Sequence, residues 1–385
     1  MTGMRICLVA PGFSRERDEP GLAAVLDLVE RIAADNEVEV VALRHPPGRS
    51  AYRLAGATVH PLGLGHATGA AARARVLARG VRAVTTQHRR HPLDVIHALW
   101  ADEAGAVATL AARVTRVPTI VSLMGGELVA LADIGYGAIL GRGGRWSVQT
   151  SLRLAKRVTV GSTRLHDLAR PHLADDDNRL RVQPLGVDLS IFRPAGAPPM
   201  RPTVLFAGSL EPVKDPETAV RAFSLLAESR PAVQLIVAGS GSMRRQLDRL
   251  AAELGISERI EFLGHIPRNR MAELYRATSV LCITSRHEAQ SMVAVEAAAC
   301  GVPVVGTDVG VLADLGDGAR TVPEADPAAL AAALGEVLDN PAEAARMGAA
   351  ARAAAEVKFD IDHAAAEMLG LYAEVSRPPA AAPES

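Results

Sequence analysis

Two glutamates, Glu288 and Glu296, stand in the run His287-Glu288-Ala289-Gln290-Ser291-Met292-Val293-Ala294-Val295-Glu296, which continues as Ala297-Ala298-Ala299-Cys300-Gly301-Val302-Pro303. A helix over 291–300 is predicted, with Gly301 ending it at C′ and Pro303 preventing continuation and opening a strand over 303–306. Glu288 then precedes the helix and Glu296 lies on it. A carboxylate on so small and alanine-rich a helix is costly to bury alone, and sugar or ribose hydroxyls are suitable donors to it. The spacing by itself also fits one solvent-facing glutamate and one helix cap, so the surroundings must decide.

The chain holds only three lysines, Lys156, Lys214 and Lys358. Lys214 lies in Gly208-Ser209-Leu210-Glu211-Pro212-Val213-Lys214-Asp215-Pro216, after a predicted strand and beside the start of a helix over 215–228. Helix-start amides, the helix dipole and an ammonium together suit phosphate. Three predicted strands end in glycine, at Gly208, Gly239 and Gly264, and Gly239-Ser240-Gly241 forms a further small turn. Ligands of open α/β sheets bind beyond such carboxyl ends, where glycine permits close backbone approach.

These residues need a scaffold of alternating strands and helices. Strands are predicted over 5–10, 38–43, 94–98, 119–123, 157–160 and 180–183, and again over 203–207, 234–238, 259–263, 280–284 and 303–306. This is the pattern of parallel sheets with crossover helices, occurring twice. At 385 residues the chain exceeds what one hydrophobic core supports. The Pro-rich run 192–202 is the expected linker, placing one domain at 1–192, a second at 193–360, a helix near 361–375 that packs back on the first, and a disordered tail at 376–385. A cleft is expected between the two doubly wound halves.

With 49% hydrophobic residues and a formal net charge of −1, the composition is globular and nothing global suggests a nucleic-acid partner. Cys7, Cys282 and Cys300 lack metal-binding spacing and are expected to be reduced packing thiols. No apolar run is long enough to span a bilayer and residues 1–5 lack the apolar stretch of a signal peptide, so a soluble cytoplasmic protein is expected. Asp175-Asp176-Asp177 has an Asp-x-Asp spacing, but it follows a helix, and a solvated acidic turn is the better reading.

The ordered set of Val187-Asp188 through Phe192-Arg193-Pro194, the Gly208 to Lys214 loop, Gly239-Ser240-Gly241, Phe262-Leu263-Gly264 and the Glu288/Glu296 pair running into Gly301-Val302-Pro303 resembles retaining glycosyltransferases of family 4. The resemblance covers nearly the whole chain. It implies the GT-B architecture, two Rossmann-like domains facing a central cleft, with the acceptor in the first and the nucleotide sugar in the second. By the same resemblance, Glu288 faces the donor sugar, Glu296 binds the ribose, and Lys214 contacts the diphosphate with Gly208 and Ser209. Amides around Gln290, Ser291 and Met292 complete a phosphate cradle, backbone near Gly264 and His265 meets the base, and Gly239 with Ser240 and Gly241 forms a loop for phosphate or base. A glycine at a helix start in the first domain approaches the phosphates, with Gly21 the better match and Gly12 the alternative.

Two positions depart from the family's pattern. Ser209 stands where an arginine is usual, and in Ser122-Leu123-Met124-Gly125-Gly126-Glu127 a methionine replaces the histidine that normally points at the sugar. Glu127 remains as a candidate catalytic contact to an acceptor or sugar hydroxyl, or as a cap of the following helix. The expected activity is metal-independent retaining transfer of a hexose from a nucleoside-diphosphate sugar, UDP first among the bases, to a hydroxyl acceptor. No cofactor beyond that donor is implied. A nucleotide-sugar 2-epimerase, a pseudo-glycosyltransferase or an inactive nucleotide-sugar-binding protein on the same fold are the alternatives.

Finally, residues 41–93 contain nine arginines and no acidic residue. A helix over 70–86 would put Leu77, Val81 and Val84 on one face and Arg75, Arg79 and Arg82 opposite. Docking of the apolar stripe on the first sheet is the plain reading, and peripheral contact with an anionic membrane or a phosphorylated acceptor is the alternative.

Overall fold

The computed structural model describes residues 3–17, 19, 22–48, 50–173, 177–194, 199 and 201–377. The chain divides into two compact units, one of residues 1–161, 166–185 and 362–385 and one of 162–165 and 186–361. The division falls at Leu185/Gly186, earlier than the expected linker, because Phe192 is fully buried against Tyr275, at 6.1 Å between ring centroids, in the core of the second unit.

The first unit holds β1 (Arg5–Gly12), β2 (Glu37–His45), β3 (Tyr52–Leu54), β4 (Ala57–Pro61), β5 (Val95–Leu99), β6 (Thr119–Leu123), β7 (Arg157–Val160) and β8 (Leu180–Val182), in the order β3-β4-β2-β1-β5-β6-β7-β8. All pairs are parallel except β3 with β4. β5 and β6 are buried at every position, as expected for parallel strands covered on both faces. The β3–β4 hairpin is absent from the predicted strands. Its two-residue turn, Ala55 (φ 49°) and Gly56 (φ 76°), has the left-handed geometry of a tight hairpin but puts alanine where asparagine is the usual signal.

The second unit holds β9 (Thr203–Ala207), β10 (Gln234–Ala238), β11 (Ile260–Gly264), β12 (Val280–Ile283), β13 (Val304–Thr307) and β14 (Ala319–Val322), ordered β11-β10-β9-β12-β13-β14 and wholly parallel. β14, a short half-buried edge strand, is the other strand absent from the predicted set. In both sheets the chain winds outward in one direction and then in the other. The winding reverses between β1 and β5 in the first sheet and between β9 and β12 in the second, and such switch points form crevices at the strands' carboxyl ends.

The last helix, Ile361–Ser376, belongs from Asp362 onward to the first unit. Gln183 Nε2 donates to Ala364 O (3.0 Å) and Lys156 Nζ to Val375 O (2.7 Å). Beneath it the buried His97 bridges the Tyr372 hydroxyl at Nδ1 (2.7 Å) and Ser122 Oγ at Nε2 (2.7 Å), and Ser122 Oγ continues to Thr159 Oγ1 (2.6 Å). Burial pushes the imidazole down to about 3, so it is neutral near pH 7. Cys7, Cys282 and Cys300 are free, buried thiols, each pushed up to about 12 by burial.

Candidate active site

The two loops that leave the second switch point carry the charged residues singled out from the sequence. After β9, a 3-10 turn (Pro212–Lys214) leads to Asp215 (φ 45°), which caps the helix Pro216–Ser229 by accepting from Thr218 N (3.3 Å) and Thr218 Oγ1 (2.6 Å). This αL corner separates Lys214 from the helix and sends the chain away from the strand end. After β12, Thr284 Oγ1 donates to the carbonyls of Lys214 and Asp215, both at 2.8 Å, and Arg286 N donates to Val213 O (2.8 Å). The two loops are thereby fastened side by side.

Lys214 Nζ donates to Glu288 Oε1 at 2.6 Å, and Ser285 Oγ donates to the same oxygen at 2.7 Å. The Glu288 side chain is 9% exposed and that of Lys214 26%, so the pair is sheltered yet reachable from solvent. Ser291 (φ 72°, ψ 78°) turns the chain into the helix Met292–Ala299, leaving Glu288 before the helix and Glu296 on it. Among the described residues the buried Ser291 Oγ has no hydrogen-bond partner. An orphaned hydroxyl beside helix-start amides, which lack intrahelical acceptors, fits a site for an anion's oxygens. Gln290 is buried, with its carbonyl accepting from Val311 N (2.9 Å). A Cβ on Gly310 (φ 55°) would lie 2.4 Å from Gln290 O and 3.0 Å from Glu288 Cβ, so only glycine allows this loop to approach.

Glu296 Oε2 accepts from the buried Tyr275 hydroxyl (2.9 Å), whose ionisation burial pushes far up. Tyr275 therefore stays a donor. It orients one carboxylate oxygen of Glu296. Three strand-end glycines are stitched together: Gly208 N donates to Ala238 O (2.9 Å) and Gly239 N to Gly264 O (2.8 Å). A Cβ on Gly239 (φ 152°) would meet Gly208 O at 1.7 Å, whereas one on Gly208 or Gly264 would meet nothing within 4 Å, so those two leave the strand ends open. Ser209 and His265 are exposed beside them.

In the first unit, Glu127 is buried and its carboxylate accepts from Met124 N (2.9 Å) and Ala101 N (3.3 Å) at Oε1 and from Gly125 N (2.7 Å) at Oε2. Burial raises its pKa and these amides oppose that rise. It braces the turn after β6; the segment it was expected to cap is irregular, and the next element is the 3-10 turn Ala138–Leu140. Met124 is half-buried in that turn. Gly12 ends β1, while Gly21 lies outside the described residues, as do Asp175 and Asp176. Among the described residues no three His, Cys, Asp or Glu side chains gather in a metal-binding arrangement.

Thr284, Ser285, Tyr275 and Gly310 were not singled out from the sequence. Thr284 and Ser285 had a signal, since they follow a strand directly; Tyr275 had none, because it reaches Glu296 across 21 positions through the tertiary fold.

A sheltered lysine–carboxylate pair and an open helix start thus lie at the switch point of a parallel sheet in an α/β protein of two doubly wound units. The chain belongs to the glycosyl transferases group 1, whose family pattern matches residues 188–354, and a glycosyl transferase 4-like domain matches residues 22–186. It is 35% identical over 310 residues to the D-inositol 3-phosphate glycosyltransferase of Xylanimonas cellulosilytica, covering 74% of this chain and 72% of that one. With the enzyme of that name from Streptomyces coelicolor it shares 31% identity over 396 residues, 90% of this chain and 85% of the other. Among solved structures, sucrose-phosphate synthase from Thermosynechococcus elongatus superposes with TM-score 0.79 at 23% identity, over 96% of this chain and 98% of that one. An α,α-trehalose-phosphate synthase (UDP-forming) from Burkholderia vietnamiensis gives 0.77 at 16% identity, over 99% of each chain. The fold is GT-B, and the protein is a glycosyltransferase acting on a nucleotide sugar.

Proposed function

We propose that the protein transfers a hexose from a UDP-sugar, with retention and without a metal ion, to a hydroxyl of a phosphorylated polyol. The observation that carries this reading is the Lys214–Glu288 pair beside the open helix start at Ser291. The acceptor class is supported by the relatives named D-inositol 3-phosphate glycosyltransferase, and UDP by the Anabaena HepE structure solved with UDP and glucose, which has TM-score 0.75, 18% identity and coverage of 96% of this chain and 99% of that one.

In the resting site Lys214 is neutralised by Glu288. A diphosphate competes for the ammonium, and the carboxylate is then released to accept from sugar hydroxyls. Lys214, the amides at Ser291 and Met292, the Ser291 hydroxyl and backbone of Gly208 and Ser209 hold the diphosphate. Glu296, oriented by Tyr275, takes the ribose diol, and backbone near Gly239, Gly264 and His265 meets the base. The bond between the anomeric carbon and the diphosphate oxygen breaks with its electron pair going to that oxygen. The acceptor oxygen bonds to the same face of the sugar, and its proton passes to the departing diphosphate. Charge grows on the leaving group, where the fixed lysine and amides stabilise it most. This chemistry places no demand on Met124 and needs no protein base. The first unit takes the acceptor.

The test is transfer from UDP-hexose to inositol phosphate in the presence of a chelator, with the anomeric configuration of the product read by NMR. Undiminished turnover to a product of unchanged configuration is expected. Inversion, or activity lost to chelator and restored by divalent metal, overturns the reading.

A further inference from the structure

Three helices of the first unit, Ala70–Arg90, Glu103–Thr115 and Arg142–Leu154, pack side by side. Small residues make the packing close: a Cβ on Gly80 would lie 2.7 Å from Val107 Cγ2, and one on Gly105 would lie 2.4 Å from Ser151 Oγ. The first helix buries Val76, Gly80 and Val84, a stripe one position away from the expected Leu77 and Val81 but sharing Val84. With that side turned inward, Arg75 and Arg82 are exposed and Arg79 is half-buried.

The outward surface is almost purely cationic. Arg75, Arg82, Arg113, Arg142, Arg145 and Arg153 are exposed, and Arg89 and Arg90 extend the charge along the first helix. The helices' only acidic side chain, Glu103, is occupied by Arg44 at 2.8 and 2.9 Å. Among the described residues none of these exposed arginines has an ion-pair partner. Large apolar side chains are exposed on the same elements: Trp146 (45%) in the third helix, Leu140 (39%) in the 3-10 turn just before it and Val114 (64%) in the last turn of the second. A recess of ≈ 720 Å³ is lined by Trp146, Arg145 and Arg153 together with Leu128, Ile139 and Leu173.

Unpaired arginine is normal on a surface meant for an anion and unusual beside ready acidic partners. Arginine interspersed with exposed tryptophan and aliphatic side chains matches a bilayer interface, where cations meet headgroup phosphates and tryptophan lies at the headgroup level. We propose that this helical face seats the protein on an anionic lipid surface, with the arginines at the phosphates and Trp146, Leu140 and Val114 in the interface. The proposal does not depend on the sugar-transfer reading.

The experiment is co-sedimentation of the full chain with vesicles of phosphatidylcholine alone and of phosphatidylcholine mixed with phosphatidylglycerol. Binding to the mixed vesicles at low salt is expected, lost at high salt and absent with the neutral ones. A blue shift of tryptophan emission should accompany it and vanish in Trp146→Phe. The combined change Arg142→Gln, Arg145→Gln and Arg153→Gln should lower the partition coefficient roughly a hundredfold. Thermal midpoints are compared with the parent, and Arg75→Gln with Arg82→Gln supplies the readout if the triple variant fails to fold. Three results overturn the proposal: no sedimentation with mixed vesicles at low salt, binding indifferent to these arginines, or duplex DNA binding as tightly with no change in Trp146 emission.

Discussion

Glu288 in the second unit and Glu127 in the first both follow a parallel strand, and they are held in opposite ways. Glu288 is held by two side chains, Lys214 and Ser285, one of them a flexible ammonium that a more highly charged anion can draw away. Glu127 is held by main-chain amides of Ala101, Met124 and Gly125, which cannot leave without dismantling the turn. A carboxylate with an exchangeable partner is available to a ligand. One saturated by backbone is part of the scaffold, and its burial is tolerable because the amides satisfy it.

The largest effect expected from this contrast is kinetic. Glu288→Gln should lower kcat by roughly 10²–10³-fold while nucleotide affinity stays near the parent value, whereas Lys214→Ala should lower both turnover and diphosphate affinity. Titrating UDP and uridine separates the two, and equal loss of both ligands in Lys214→Ala would place the lysine elsewhere than at the phosphates. Next comes Glu127→Gln, which replaces an acceptor oxygen by an NH₂ facing amide donors and should cost about 2–3 kcal/mol in chemical denaturation. The same measurement on Glu288→Gln should show little change. Equal destabilisation by both would erase the distinction between exchangeable and scaffolding carboxylates.

His97 sharpens the comparison through pH. Its imidazole is held near 3 in the folded first unit against an ordinary 6.5, so the unfolded chain takes up the proton first. The contribution is whole above pH 6.5 and falls as pH drops toward 3, by about 1.4 kcal/mol per pH unit through that window. His97→Gln should flatten this slope in urea titrations between pH 6 and 4; an unchanged slope would show that other groups govern acid unfolding. The smallest effect belongs to Tyr275→Phe, which frees Glu296 to rotate. UDP affinity should weaken by about 1 kcal/mol, with less loss for 2′,3′-dideoxy-UDP, because the second ligand has no diol to be positioned against. Equal losses would make Tyr275 a packing residue only.

The same division runs through the arginines. On the second unit they are commonly neutralised on their own helix or loop: Arg221 with Glu217 (2.7 Å), Arg244 with Asp248 (3.1 Å), Arg352 with Glu356 (2.7 Å). On the helical face of the first unit Arg73 reaches Glu103 at 3.8 Å, and among the described residues the exposed arginines Arg75, Arg82, Arg113, Arg142, Arg145 and Arg153 have no such neighbours. Surface ion pairs of this kind add little stability, so the contrast concerns what each surface attracts more than how firmly it folds.

Much of this was settled by local chemistry that the amino-acid order carries. Alternating β-rich and helical runs specified two parallel sheets, since strands covered on both faces must be apolar throughout. Gly301 (φ 74°) and Pro303 end the helix of Glu296 as their backbone preferences require, and Gly208, Gly239 and Gly264 lie at strand ends with φ of 148°, 152° and 68°. The segregation of arginine between residues 41 and 93 was likewise visible, although the extension of that surface to Arg142, Arg145 and Trp146 was not. What only the tertiary structure decided were pairings between distant positions. Lys214 meets Glu288 across 74 residues and Tyr275 meets Glu296 because strand order brings β9 beside β12 and burial aims the tyrosine inward. Glu127 could have faced a ligand or a helix start; amides of its own turn, Met124 and Gly125, together with that of Ala101 after β5, engage both oxygens. No local preference encodes such choices, because a side chain's partner is whichever polar group the packed chain leaves within about 3 Å.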